Sequence, residues 1–215
     1  MSTSNSEDVS LSCSEDWCIK DMEMINHVEV FQNKPAILKK VENRLNKLKE
    51  AMVIELLSCA TQLPPNTDTQ KGQIARGENN NGFPFLSLDI PQNFSKTEMY
   101  TYRTLFWWGH YLGFSMILKG DKLNTYFQRL SANCKEPSFL DVYLSLAPTP
   151  WEWRLEEKYF TPVSHQHVWA DKAHILDHMK IIRFHSIADK SFEKLDWKEA
   201  GMKFWRDMAP ICLGQ

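Results

Sequence analysis

Between Tyr100 and Leu118 apolar side chains recur at every second position. Tyr100, Tyr102, Phe106, Trp108, Leu112, Phe114, Met116 and Leu118 form one row, interrupted only by Thr104 and His110. The opposite row is mixed and carries Arg103, Trp107, Gly109, Tyr111, Gly113 and Ser115. A pleated backbone sends successive side chains to opposite faces, so the alternation predicts strand, with the even positions in the core. The run exceeds the roughly three to ten residues of an ordinary strand, which predicts a break at Gly109 or Gly113. Ser95 with Glu98 also fits a capping box opening a helix, but the alternation persists further than any helical pattern.

Upstream, Ile37, Val41, Leu45, Leu48 and Met52 recur at spacings of three and four, opposite Lys39, Lys40, Glu42, Lys47 and Lys49. This predicts an amphipathic helix from Pro35 to about Ala60, opened by a first-turn proline and closed before Pro64-Pro65. Leu38, Val41, Leu45, Leu48 and Met52 also fit a heptad seam, so the helix packs either on its own sheet or on a partner helix. The polar stretch from Asn66 to Asn81 reads as an exposed loop, and Phe83 to Ile90 as a short strand ending at Pro91. Asp121 is placed to cap a helix running to about Asn133. Phe139 to Leu146 reads as strand. Trp151 to Tyr159 alternates Trp151, Trp153, Leu155 and Tyr159 with charged residues, which predicts a half-exposed strand. Ile181 to His185 suits another strand, and Asp196 with Glu199 opens a helix along Trp197, Ala200, Phe204 and Met208 that Pro210 would end.

The order helix, strands, helix, strands, helix predicts an α+β fold, with a mainly antiparallel sheet covered by helices on one face. Residues 17–215 are expected to form a single domain behind a polar, flexible tail at residues 1–16. A chain of 215 residues with 43% hydrophobic and 12% aromatic content has enough apolar material for one substantial core. Its 25 basic and 27 acidic residues leave a net charge of -2, so no global field draws it to nucleic acid or anionic lipid. The longest apolar run falls short of the roughly 20 residues of a membrane helix, and the N-terminus lacks the pattern of a secretory signal. A cytoplasmic protein is the expectation. Cys13, Cys18, Cys59, Cys134 and Cys212 contain no C-x-x-C pair and read as reduced thiols.

Arg76-Gly-Glu-Asn79, Gly82-Phe-Pro-Phe85, Leu88-Asp-Ile-Pro91 and Arg103-Thr-Leu-Phe-Trp-Trp-Gly109 resemble elements of an uncharacterised bacterial protein family. The resemblance covers the middle third of the chain and implies no activity.

Two constellations suggest chemistry. Arg103, Trp107 and Tyr111 share a face with Gly109 and Gly113, whose missing side chains would let a small molecule approach the backbone while Arg103 holds an anionic group. The competing reading gives that space to a neighbouring helix and pairs Arg103 with Glu98 or Asp89. The second constellation is histidine-rich: His165, His167, His174, His178 and His185 lie close together with Asp171 and Asp177. If residues 170–179 are helical, Asp171, His174 and His178 share one face and could ligate a metal, as in a metal-dependent enzyme. The segment lacks the H-E-x-x-H pattern, and solvated histidines are the simpler account. With no nucleophile elbow, phosphate-binding glycine loop or dinucleotide fingerprint, no catalytic residue or cofactor is implied. The leading expectation is a small-molecule-binding or interaction protein built on an aromatic pocket, with a second copy of the chain as a candidate partner. The alternatives are the metal-dependent enzyme and a structural partner-binding protein using the helix of residues 35–60.

Overall fold

The computed structural model describes residues 16–214. The expected tail at residues 1–16, and Cys13 with it, therefore lies outside the described residues apart from Asp16. The chain divides into a short N-terminal unit ending at Leu38 and a larger unit beginning at Lys39. In the first, helix α1 (Ile19–Ile25) opens on a capping box in which the Asp21 carboxylate accepts from the Cys18 backbone N–H at 2.8 Å, and Cys18 Sγ accepts from the Asp21 N–H at 3.4 Å. Helix α2 (Val28–Leu56) also begins in this unit, and Pro35 lies inside it instead of in its first turn. The helix ends at Leu56, ahead of a 3-10 turn over Ala60–Gln62. Its buried stripe is the heptad one, with Leu38, Val41, Leu45, Leu48, Met52 and Leu56 buried, while Ile37 is exposed.

In the larger unit, residues 66–72 are irregular as their polarity predicts, but residues 73–80 are not part of that loop, because β1 (Gln73–Asn80) pairs along β2 (Phe83–Phe94) as an edge strand. Gly77 belongs here because the Phe85 ring occupies the space a side chain would fill. The two strands turn through Asn81 (φ 51°) and Gly82 (φ 87°), the paired left-handed residues that a tight hairpin requires. Strand β2 continues past Pro91 because its register with the next strand shifts between Asp89 and Gln92, sparing the proline a ladder bond. The aromatic run folds into β3 (Met99–Trp107) and β4 (Tyr111–Lys119), joined at Gly109 (φ +77°) and unbroken at Gly113. Ser95 Oγ accepts from the Glu98 N–H at 2.8 Å and so caps the turn between β2 and β3, not a helix.

Helix α3 (Leu123–Asn133) follows, with Lys122 and not Asp121 at its N-cap. The strand expected over residues 139–146 is reduced to β5 (Tyr143–Ser145), which pairs with β6 (Phe160–Pro162). Helix α4 (Gln166–Ala173), β7 (Met179–Ser186) and helix α5 (Trp197–Cys212) complete the chain. Asp196 caps α5 by accepting from the Lys198 and Glu199 N–H groups, and the helix runs through Pro210. The seven strands lie in the order β1-β2-β3-β4-β7-β5-β6, every neighbouring pair antiparallel. This is the expected α+β architecture.

The even row of the β3–β4 hairpin is buried against helices. The Tyr102 hydroxyl donates to the Gly201 carbonyl at 2.8 Å, Tyr102 and Phe114 stack on Phe204, and Phe106 stacks on Trp197. Any side chain at Gly201 would meet Leu48 at 2.8 Å, so this glycine sets the approach of α5 to α2. The opposite face is covered by an extended strap, residues 146–160, whose Trp153 and Phe160 pack on Leu105, Trp107, Tyr111, Ile117 and Ile182. Residues 151–159 form no strand. The strap is held from beneath by side chains: Tyr111 donates to the Trp153 carbonyl at 2.6 Å, and Lys180 donates to the carbonyls of Pro150, at 3.0 Å, and Glu152. Backbone acceptors committed to side chains in this way are withdrawn from a sheet ladder.

Candidate functional site

The mixed row of the hairpin meets the strap at the β3–β4 turn, and between them lies an open cavity of about 410 Å³. Trp107, His110 and Tyr111 form the hairpin side, Phe184 and Ser186 come from β7, and Arg154, Leu155 and Glu156 come from the strap. Each is placed by a specific anchor. Trp107 Nε1–H donates to the Asn80 carbonyl at 3.0 Å, which fixes the indole across the end of the β1–β2 hairpin. The His110 imidazole lies flat on that indole, with centroids 3.8 Å apart and planes 21° from parallel, while Phe83 meets it edge-on at 4.7 Å. Tyr111 stands edge-to-face to Trp107 at 5.7 Å, its hydroxyl spent on the strap. Burial raises the Tyr111 phenol well above its usual range, so it stays a neutral donor.

The rim is polar. Arg154 forks onto Glu152 at 2.9 and 2.6 Å and reaches Glu156 at 3.6 Å. Those hydrogen bonds hold the Glu152 carboxyl down at about 2, so the charges at this edge are largely matched within the protein. One polar atom within the aromatic group is not matched. His110 Nε2 is buried and has no hydrogen-bond partner among the described residues. The arrangement is an aromatic pocket, with Trp107 and Tyr111 edge-to-face on its hairpin side, suited to holding a flat, largely apolar molecule by ring contacts.

Of the residues singled out from sequence, Trp107 and Tyr111 line this cavity, whereas Arg103, Gly109 and Gly113 do not. Arg103 lies farther along the same face and forks onto Asp89 on β2 through two bonds of 2.7 Å, under the rings of Trp151 and Trp153. Its charge is therefore used inside the protein and does not await an anion. Gly109 makes the turn, with Phe83 beside it. The space over Gly113 is filled by the Tyr111 ring and Ile182, since a side chain would come within 2.9 and 3.0 Å of them. His110 is not among the site residues the sequence suggests; it shows there as a break in the apolar row. Arg154, Leu155 and Glu156 read from sequence as part of a half-exposed strand, and their place at the cavity, like that of Phe184, depends on long-range packing.

The histidine cluster does not assemble. Helix α4 ends at Ala173, so Asp171, His174 and His178 share no helical face. His178 is buried at the start of β7 with Nδ1 against the Asp177 carboxylate at 2.8 Å, and burial holds its pKa below the usual value. Among the described residues, no three His, Cys, Asp or Glu side chains are grouped to hold a metal ion. The thiols of Cys18, Cys59, Cys134 and Cys212 are free. Among the described residues, no helix is long and apolar enough to cross a membrane.

Compared with protein-family models, curated proteins and solved structures, the chain matches none. Residues 76–79, 82–85, 88–91 and 103–109 all fall on the β1–β2–β3 meander and its turns, where Asp89 pairs with Arg103.

Proposed function

We propose that this is a cytosolic small-molecule-binding protein whose site is the aromatic cavity between the β3–β4 turn and the strap. The observation that carries the reading is the buried, unpartnered Nε2 of His110, set among Trp107, Tyr111 and Phe184 in a cavity of about 410 Å³. Buried polar atoms are almost always paired, so a lone nitrogen on a residue that lines an aromatic opening favours a partner from outside the chain, reached once the imidazole turns toward the cavity. The balanced charge of the Arg154 rim favours a neutral, planar ligand of one or two rings over a strongly anionic one. The free thiols support a reducing compartment. The metal-dependent reading loses its ligand set, and the helical seam proposed for a partner helix is buried.

Indole is a suitable probe, being flat, neutral and a hydrogen-bond donor. Calorimetric titration should show saturable binding of one equivalent. His110→Ala should weaken it about fivefold to tenfold, the net value of one hydrogen bond. Leu155→Trp, which fills the cavity, should abolish it. Absence of saturable binding by indole and by a panel of similar ring compounds, with nothing retained in native mass spectrometry, would sink the proposal.

A further inference from the structure

A second cavity, of about 450 Å³, shares no residue with the aromatic one and lies where the start of α5 meets α2. Four cations line it, Arg44 and Lys47 from α2 with Lys194 and Lys198 around the start of α5, against two carboxylates, Glu193 and Asp196. Asp196 is occupied as the cap of α5. Lys198 is paired with Glu199 at 3.0 Å, but among the described residues no carboxylate lies within ion-pairing distance of Arg44, Lys47 or Lys194. Farther along, the same two helices do match their charges, since Arg206 forks onto Glu55 at 2.8 and 2.9 Å. The unmatched cations are therefore a local property of this end. Arg44 is held in place by its bond to the Leu195 carbonyl at 3.3 Å and by the Trp197 ring, 5.3 Å beneath its guanidinium. Trp197, which also lines the cavity, has a buried indole N–H with no acceptor among the described residues.

We infer that this cavity binds a small, multiply charged oxyanion of the di- or triphosphate type. Like charges on neighbouring turns of one helix repel, and adding Lys194 and Lys198 from the facing segment increases that cost. A bound polyphosphate turns the repulsion into attraction, with Arg44 offering a planar fork and the lysines point charges. The overall charge of -2 means that any such attraction is local to this cavity and not a general property of the surface.

Inorganic pyrophosphate, titrated calorimetrically into the full chain at low ionic strength, tests the inference. The expected result is saturable binding of one equivalent with Kd at or below about 1 mM. The pair Lys47→Glu with Lys194→Glu, on exposed positions and checked for folding by circular dichroism, should weaken it at least about tenfold, a loss near 1.4 kcal/mol. Lys172→Glu, on α4, should leave it unchanged. No saturable binding, equal binding by the double variant, or an equal loss in the Lys172 variant would each overturn the proposal. Indole binding is read separately in the same variants, so failure here is distinct from failure of the aromatic site.

Discussion

Arg103 on β3 and Asp89 on β2 form a two-bond ion pair across neighbouring strands, both bonds 2.7 Å long, with the Asp89 side chain only 3% exposed. Thr101 Oγ1 adds a longer bond to the same carboxylate at 3.4 Å. Removing one member of such a pair strands a buried charge. Arg103→Met should therefore destabilise the protein by about 3–5 kcal/mol, and Asp89→Leu added to it should restore much of the loss. Urea unfolding of the two variants reads this directly. A single Arg103 variant as stable as the parent would show that the pair forms no buried unit.

Tyr111 ties the hairpin to the strap through its 2.6 Å bond to the Trp153 carbonyl. Tyr111→Phe keeps the ring and leaves that carbonyl without its donor, at a cost of about 1–3 kcal/mol. The loss should be local. Hydrogen exchange of amides in residues 151–156 should accelerate far more than that of amides in α5, and uniform acceleration would argue against a strap secured at this point.

Gly113→Ala should cost about 1–3 kcal/mol through overpacking, because its methyl would press on the Tyr111 ring and Ile182. The displaced ring lines the aromatic cavity, so indole affinity should fall with stability. A neutral substitution would mean that the ring yields freely.

Lys180 is fully buried beneath the strap, between the rings of Trp153 and Phe160, and burial pushes its pKa down to about 7. In the unfolded chain the amine stays protonated to roughly pH 10.4, so above pH 7 the unfolded state binds the extra proton and stability rises with pH. His178 and His185, also held low by burial, act in the same direction at more acidic pH. Urea midpoints should therefore climb from about pH 6 to roughly pH 8.5, where thiols of the unfolded chain begin to ionise and oppose the trend. Lys180→Met should flatten the rise above pH 7, and an unchanged slope would assign it to other groups.

What was legible in the sequence follows from local geometry. Alternation marked the strands of the β3–β4 hairpin because the pleat itself sorts side chains, and of the two glycines offered for the break the structure uses Gly109, whose φ of +77° suits glycine. The heptad stripe of α2 and the Asp196 cap were readable for the same reason. The strand expected over residues 151–159 failed because the same alternation also describes a strap whose carbonyls are taken by Tyr111 and Lys180. Nothing in nine neighbouring residues reveals donors that arrive from β4 and β7. The loop expected over residues 66–81 failed in the opposite sense over its second half, residues 73–80, since an edge strand such as β1 needs few apolar residues when its partner supplies the ladder.

The candidate site divides along the same line. The sequence by itself determined that the hairpin has an apolar face and a mixed one, and that the mixed face holds Arg103, Trp107 and Tyr111, because side-chain direction along a strand alternates with every residue. Only the tertiary structure decided which of these groups remain available. It joined Arg103 to Asp89, folded Tyr111 over Gly113, laid the strap across the face and left His110 Nε2 without a partner, because such contacts are set by packing between segments far apart in the chain.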